Sequence, residues 1–158
     1  MNITGQRGCY IYMLSCSDGG PSYIKIGMSN SPVARLGQIL TGCPIKPISF
    51  ACVELRTRDR ARRAEAALHR HLEEWRSTGE WFRVDPSDRG RFDSACRAAV
   101  SRFSEPTWPM VWDTLSVQDY LAESKQAGRR GFWAARKRDK SRGKPYKDFV
   151  LHGGAAPN

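Results

Sequence analysis

Six side chains in the first half of the chain are of the types that cleave a phosphodiester. Glu65 and His69 stand one helical turn apart in Ala64-Glu65-Ala66-Ala67-Leu68-His69, so a helix there puts both on one face. Upstream lie Tyr10 and Tyr12 in Tyr10-Ile11-Tyr12, Lys25 in Lys25-Ile26-Gly27, and Arg35 eight residues past that glycine. A hard cation such as Mg²⁺, or Mn²⁺ in its place, needs only one or two protein carboxylates, with water and substrate phosphate completing its shell. A fixed guanidinium gives crowded phosphorane oxygens a two-pronged contact that lysine does not reproduce. A free phenol titrates near pH 10, so a tyrosine acting as base requires its phenolate to be stabilised. Singly, each residue has a plainer explanation. Glu65 sits among Arg60, Arg62, Arg63, Glu73 and Glu74, where a glutamate is most often half of an exposed i,i+4 pair.

The elements that must position these groups can be read from periodicity. Cys9 to Ser15 and Tyr23 to Met28 alternate as strands around a Ser17-Asp18-Gly19-Gly20-Pro21 turn, an antiparallel hairpin. Ile11, Met13, Ile24 and Ile26 make its core faces. The opposite faces carry Tyr10, Tyr12, Tyr23 and Lys25, either a solvated sheet surface or the floor of a site. Ser31-Pro32 reads as a helix start, with Val33, Leu36 and Leu40 as its buried stripe and Gly42 as its end. Ile48 to Leu55 is the third strand. A second helix is expected from about Thr57 to Arg76, closed by Gly79, with Ala61, Ala64, Leu68, Leu72 and Trp75 inward. Trp81 and Phe82 then close the core behind it, and Asp85-Pro86 starts a third helix through Phe92, Cys96, Ala99 and Phe103. Ser104 to Pro109 reads as a linker, and Ser116 as the cap of a short helix.

Bulk properties agree with a nucleic-acid partner. The chain has 158 residues, a net charge of +10 and a pI near 9.8, and a basic surface gains by releasing counterions from phosphates. No apolar run approaches the roughly 18 residues of a membrane span, and the N-terminus has no signal-peptide profile, so a cytoplasmic protein without membrane contact is expected. The five cysteines form no Cys-x-x-Cys pair, which favours reduced thiols over disulfides or zinc. His69 and His71, two apart on a helix, point away from each other and do not chelate.

The order and spacing of these motifs, with Gly79-Glu80-Trp81-Phe82 behind them, resemble the GIY-YIG nuclease superfamily, especially its phage-type branch, where the second tyrosine is often a lysine. The resemblance covers roughly the first two-thirds of the chain. It implies an α/β (α+β) fold with a small three-stranded antiparallel sheet flanked by helices. It also implies that Glu65 is the metal ligand, that Arg35 binds the scissile phosphate, and that Tyr12 is the tyrosine of the first signature tripeptide. Lys25 stands in the place of the second tyrosine. The residues leave Tyr10, Tyr12 and a neutral Lys25 open as the base, with Tyr12 favoured. His69 shares a face with Glu65 and could orient a metal-bound water or the leaving group, or serve only as a half-buried helix flank. Glu80 is a weak further candidate.

Residues 129–144 hold eight Arg or Lys against one Asp. Arg129, Arg130, Arg136, Lys137 and Arg138, with Trp133 among them, suit backbone tracking and base stacking as well as a plain solvated tail. The expected organisation is a nuclease domain over 1–104 and a linker with a basic helical extension over 105–158. The expected activity is divalent-metal-dependent hydrolysis of DNA, with RNA the other substrate to be considered, in a bacterial or phage-infected cell. A non-cleaving nucleic-acid-binding module on the same fold is the alternative, kept because of Lys25.

Overall fold

A computed structural model describes residues 9–104, 113–119 and 121–122. The basic run at 129–144 and all but the first residue of the expected linker lie outside the described residues. The chain folds as a six-stranded sheet in the order β4-β5-β2-β1-β3-β6, with all pairings antiparallel and helices on both faces. The elements are β1 (Cys9–Cys16), β2 (Ser22–Ser29), α1 (Pro32–Thr41), β3 (Pro47–Leu55), α2 (Arg58–His71), β4 (Arg76–Thr78), β5 (Trp81–Val84), α3 (Arg89–Val100) and β6 (Asp113–Ser116).

The expected three-stranded sheet is present as the centre of this larger one. Three short strands escaped the sequence because four residues or fewer give too little alternation to detect. The expected second helix is also shorter than read. It stops at His71, tightens into a 3₁₀ turn over Glu73–Trp75, and passes into β4. Leu72 and Trp75 stay buried on the core side across this change, so the apolar stripe runs on after the helix has ended. Gly79, expected to close the helix, instead turns β4 into β5 with φ +55°, a backbone region that favours glycine.

The helix starts follow local chemistry. Thr57 caps α2 by accepting from the Arg60 N–H at 3.2 Å, Asp59 lies in its first turn, and His69, Arg70 and His71 fill its last, complementing the dipole. Ser31 precedes α1 with Pro32 at its first position, yet its side chain makes no cap bond. Ser116 does cap a helical turn, accepting from the Asp119 N–H at 3.0 Å.

Two cores result. Ile11, Met13, Ile24 and Ile26 pack against α2 and α3 with Phe82, Phe92 and Phe103. On the other face Tyr10, Tyr12, Leu14, Phe50 and Cys52 pack under α1 through Leu36. The tyrosine face is therefore no solvated surface but a second buried layer. Trp81 and Phe82 split between the two: Phe82 enters the first core and Trp81 packs against the second. The cysteines are unbridged, and no described helix is long and apolar enough to cross a membrane.

Candidate active site

The second strand is covered by β5 only over Ser22 to Lys25, where Lys25 faces Trp81. Beyond that register the turn before β5 contributes one more bond, from the Ile26 N–H to the Glu80 carbonyl at 3.2 Å. From Gly27 onward this edge of β2 has no strand partner among the described residues. Side chains from both faces of the sheet meet at this notch: Lys25, Tyr12 and Arg35 from the α1 side, Glu65 and His69 from α2, and Glu80 from the β4–β5 turn.

Tyr12 is 1% exposed and stacks on Phe50 with ring centroids 5.8 Å apart. Its hydroxyl lies over Gly27, its register partner on β2. A Cβ at position 27 would stand 2.5 Å from Tyr12 Oη and 2.8 Å from Cζ. The glycine is required by this close approach. Arg35 Nε donates to Tyr12 Oη at 3.3 Å, and Nη1 donates to Gln38 Oε1 at 3.2 Å. The Tyr12 contact raises the guanidinium's pKa above its ordinary value; burial opposes it, and the charge of Glu80 adds a smaller push in the same direction as Tyr12. No carboxylate among the described residues lies within ion-pair distance of Arg35. Tyr10, two residues back on the same strand face, is bonded to Glu54 of β3. Burial first, and that carboxylate next, push its phenol well above the usual range, which disfavours the phenolate a base requires.

Lys25 Nζ pairs with Glu80 Oε2 at 2.6 Å and lies 5.6 Å from the centroid of the Trp81 ring. Glu65 is half-buried, and no described residue gives it a hydrogen bond or ion pair. Burial raises its pKa, the neighbouring Glu80 carboxylate raises it further, and Lys25 only partly opposes them. At Glu65, burial and a second carboxylate thus outweigh Lys25, an imbalance that a bound cation relieves. Among the described residues no group of three or more His, Cys, Asp or Glu is placed to hold a metal. The donor set fits Mg²⁺ or Mn²⁺, which take one or two carboxylates and keep their waters, and not a tetrahedral zinc cage.

His69 is fixed at both nitrogens. Because Nε2 faces the Ile26 carbonyl at 3.2 Å, it carries the proton and donates; Nδ1 then accepts from Arg76 Nη2 at 3.3 Å. The ring stands edge-on to Phe82, centroids 5.3 Å apart. Burial, with the Arg76 cation adding to it, lowers the imidazole pKa against the opposing pull of the Ile26 carbonyl. This histidine ties α2 to β2 at the level of the site. His71, exposed on the same helix, bonds the Ala67 carbonyl through Nδ1 at 2.9 Å.

The sequence ranked Glu80 low and used Gly27 only as a spacing mark. Glu80 instead touches Lys25 and acts electrostatically on Glu65, Arg35 and His69. Its neighbour Trp81, opposite Lys25 in the sheet, was the available signal, but it required β5 to be known. Gly27→Ala is expected to cost about 1–3 kcal/mol, since the methyl must displace a buried phenol. Denaturant midpoints of the two proteins measure it.

Comparison with protein families finds a match to the model described as T5orf172 domain over residues 9–102. No curated protein and no solved structure matches the chain.

Proposed function

Because the chain belongs to the T5orf172 domain family, a phage-associated domain of the GIY-YIG-like, nuclease-related group, we propose that it is a divalent-metal-dependent endonuclease whose centre is the notch at the edge of β2. The observation that carries this reading is Glu65: a half-buried carboxylate without a described ion-pair partner, held beside a second carboxylate, Glu80, whose charge also acts on Arg35 of the arginine–tyrosine pair.

Glu65, with Glu80 at its side, would hold Mg²⁺ or Mn²⁺. When bound, the metal supplies Lewis-acid polarisation of the scissile phosphate. The chain's own residues do the rest. Arg35 has no carboxylate partner among the described residues and offers its fork to the phosphate oxygens as charge builds on them. Tyr12 Oη accepts from that same guanidinium. As base, Tyr12 acts as the phenolate, its own proton having gone to solvent and its charge lying beside the Arg35 guanidinium; when Arg35 turns to the phosphate, that oxygen takes a proton from the attacking water. Tyr10 is ill suited to this because Glu54 and burial oppose its ionisation. Lys25, paired to Glu80, keeps a positive charge at the rim and holds the turn that brings Glu80 in. His69 sets the spacing between α2 and β2, and so the position of Glu65.

Incubating the purified chain with supercoiled plasmid and Mg²⁺ or Mn²⁺ is expected to yield nicked or linear DNA, and chelator to stop it. Salt-dependent DNA binding with no cleavage in either metal would instead identify a binding module on this fold. The lysine in place of the second tyrosine is the feature that favours that reading.

A further inference from the structure

On the far flank of α2 from the notch, Arg60, Arg63, Ala66 and Arg70 line an open cleft of about 530 Å³ together with Arg102 and Phe103 from the turn after α3. Two of the four guanidiniums are oriented by a single residue. Arg60 donates through Nε and Nη2 to the Phe103 carbonyl at 3.2 and 3.1 Å, and Arg102 lies 4.9 Å from the centroid of the Phe103 ring. Arg63 pairs with Asp59 at 2.7 Å in an exposed ion pair that contributes little. Arg70 and Arg102 have no ion-pair partner among the described residues.

We propose that this cleft binds the phosphate backbone of the nucleic acid beside the cleaved site. The inference rests on the nuclease reading above and extends it to a second, non-catalytic contact surface. Its geometry favours a chain of phosphates over a single anion. Arg60, Arg63 and Arg70 are spread over about 15 Å of helix, whereas one phosphate calls for a compact fork. The path from the notch is short and open. By helical rotation Arg63 and Arg70 stand about 130° around α2 from Glu65 and His69, an arc of roughly 10–12 Å, or about three base-pair rises. Arg62 and Ala66 lie between, both exposed, and the alanine lets a sugar–phosphate backbone pass close to the helix.

The experiment uses the full chain and a fluorescently labelled DNA duplex in chelator, so that nothing is cut, with binding titrated at several salt concentrations. Neutralising Arg63, Arg70 and Arg102 together as R63Q/R70Q/R102Q removes three exposed side chains, of which Arg102 alone lies against a core ring, that of Phe103. The slope of log affinity against log salt is expected to become shallower by about 0.9 for each phosphate that the protein no longer neutralises, hence by roughly 2 to 3. R83Q/R91Q, which neutralises arginines of β5 and α3 outside the cleft, is expected to keep a slope closer to the original. Binding by the original chain with the same slope in both variants overturns the cleft and leaves the nuclease reading intact. A slope reduced only in the first variant, in a protein that never cleaves DNA, keeps the cleft and removes the nuclease reading. No duplex binding by the original chain at low salt overturns the proposal outright, as does an equal reduction in the two variants, which would report bulk charge alone.

Discussion

Glu65→Gln is expected to fold, to bind DNA, and to lose cleavage by at least about 10²-fold, because the charge stabilisation a metal supplies is worth several kcal/mol and each 1.36 kcal/mol is tenfold in rate. The substitution keeps size and helix propensity and removes only the charge. It also has a signature separate from activity. Burial and Glu80 raise the Glu65 pKa, so in the window between its ordinary and raised values the folded protein binds more protons than the unfolded one. Stability therefore falls as pH rises through that window, and the cost of the buried charge is fully present above it. Metal-free Glu65→Gln should melt at a higher temperature than the parent at neutral pH, and the gap should close as the pH is lowered toward the ordinary carboxylate range. Adding Mg²⁺ or Mn²⁺ should raise the melting temperature of the parent and leave the variant nearly unchanged. Identical responses of the two proteins to pH and metal would show that Glu65 holds no cation.

The second large effect is expected at the arginine–tyrosine pair. Tyr12→Phe deletes one oxygen and leaves the stack on Phe50 in place, and is expected to slow single-turnover cleavage by about 10²–10⁴-fold, the usual worth of a positioned proton acceptor. Arg35→Lys keeps the charge but removes the fork and the Nε contact to Tyr12, for an expected loss of about 10²–10³-fold. The two effects should be less than additive when combined, because each substitution disrupts the same hydrogen bond. Tyr10→Phe is the contrasting variant: its phenol is engaged with Glu54, so a change in stability with cleavage largely kept is expected. A Tyr10→Phe loss as large as that of Tyr12→Phe would reassign the base.

Much of the framework was legible because it is carried by long, strongly patterned segments. The β1–β2 hairpin, α1, β3 and the inward stripe of α2 each announce themselves over eight residues or more, and their cores follow from Ile11, Met13, Ile24, Ile26, Leu36 and Leu68. What the sequence hid lies at short elements and at contacts across the sheet. The end of α2 could not be seen because Leu72 and Trp75 continue its stripe through a 3₁₀ turn. The strands around Gly79 could not be seen because β4 and β5 have three and four residues, and with them went the reason Glu80 reaches Lys25. Tyr12 and Tyr10 share a strand face and are indistinguishable by periodicity. Only their partners, Arg35 for one and Glu54 for the other, separate them. Gly27 likewise reveals its purpose only when the Tyr12 hydroxyl is seen to fill the space of its missing side chain.

The most direct test of a metal-dependent nuclease centred on Glu65 is single-turnover cleavage of supercoiled plasmid by the parent and by Glu65→Gln. Each is followed across a titration of Mg²⁺ and of Mn²⁺ with a chelator control. Saturable, chelator-sensitive cleavage is expected from the parent and none above background from the variant at any metal concentration, with plasmid binding retained by both. Equal cleavage by the two proteins, or cleavage by the parent that persists in chelator, would contradict that assignment.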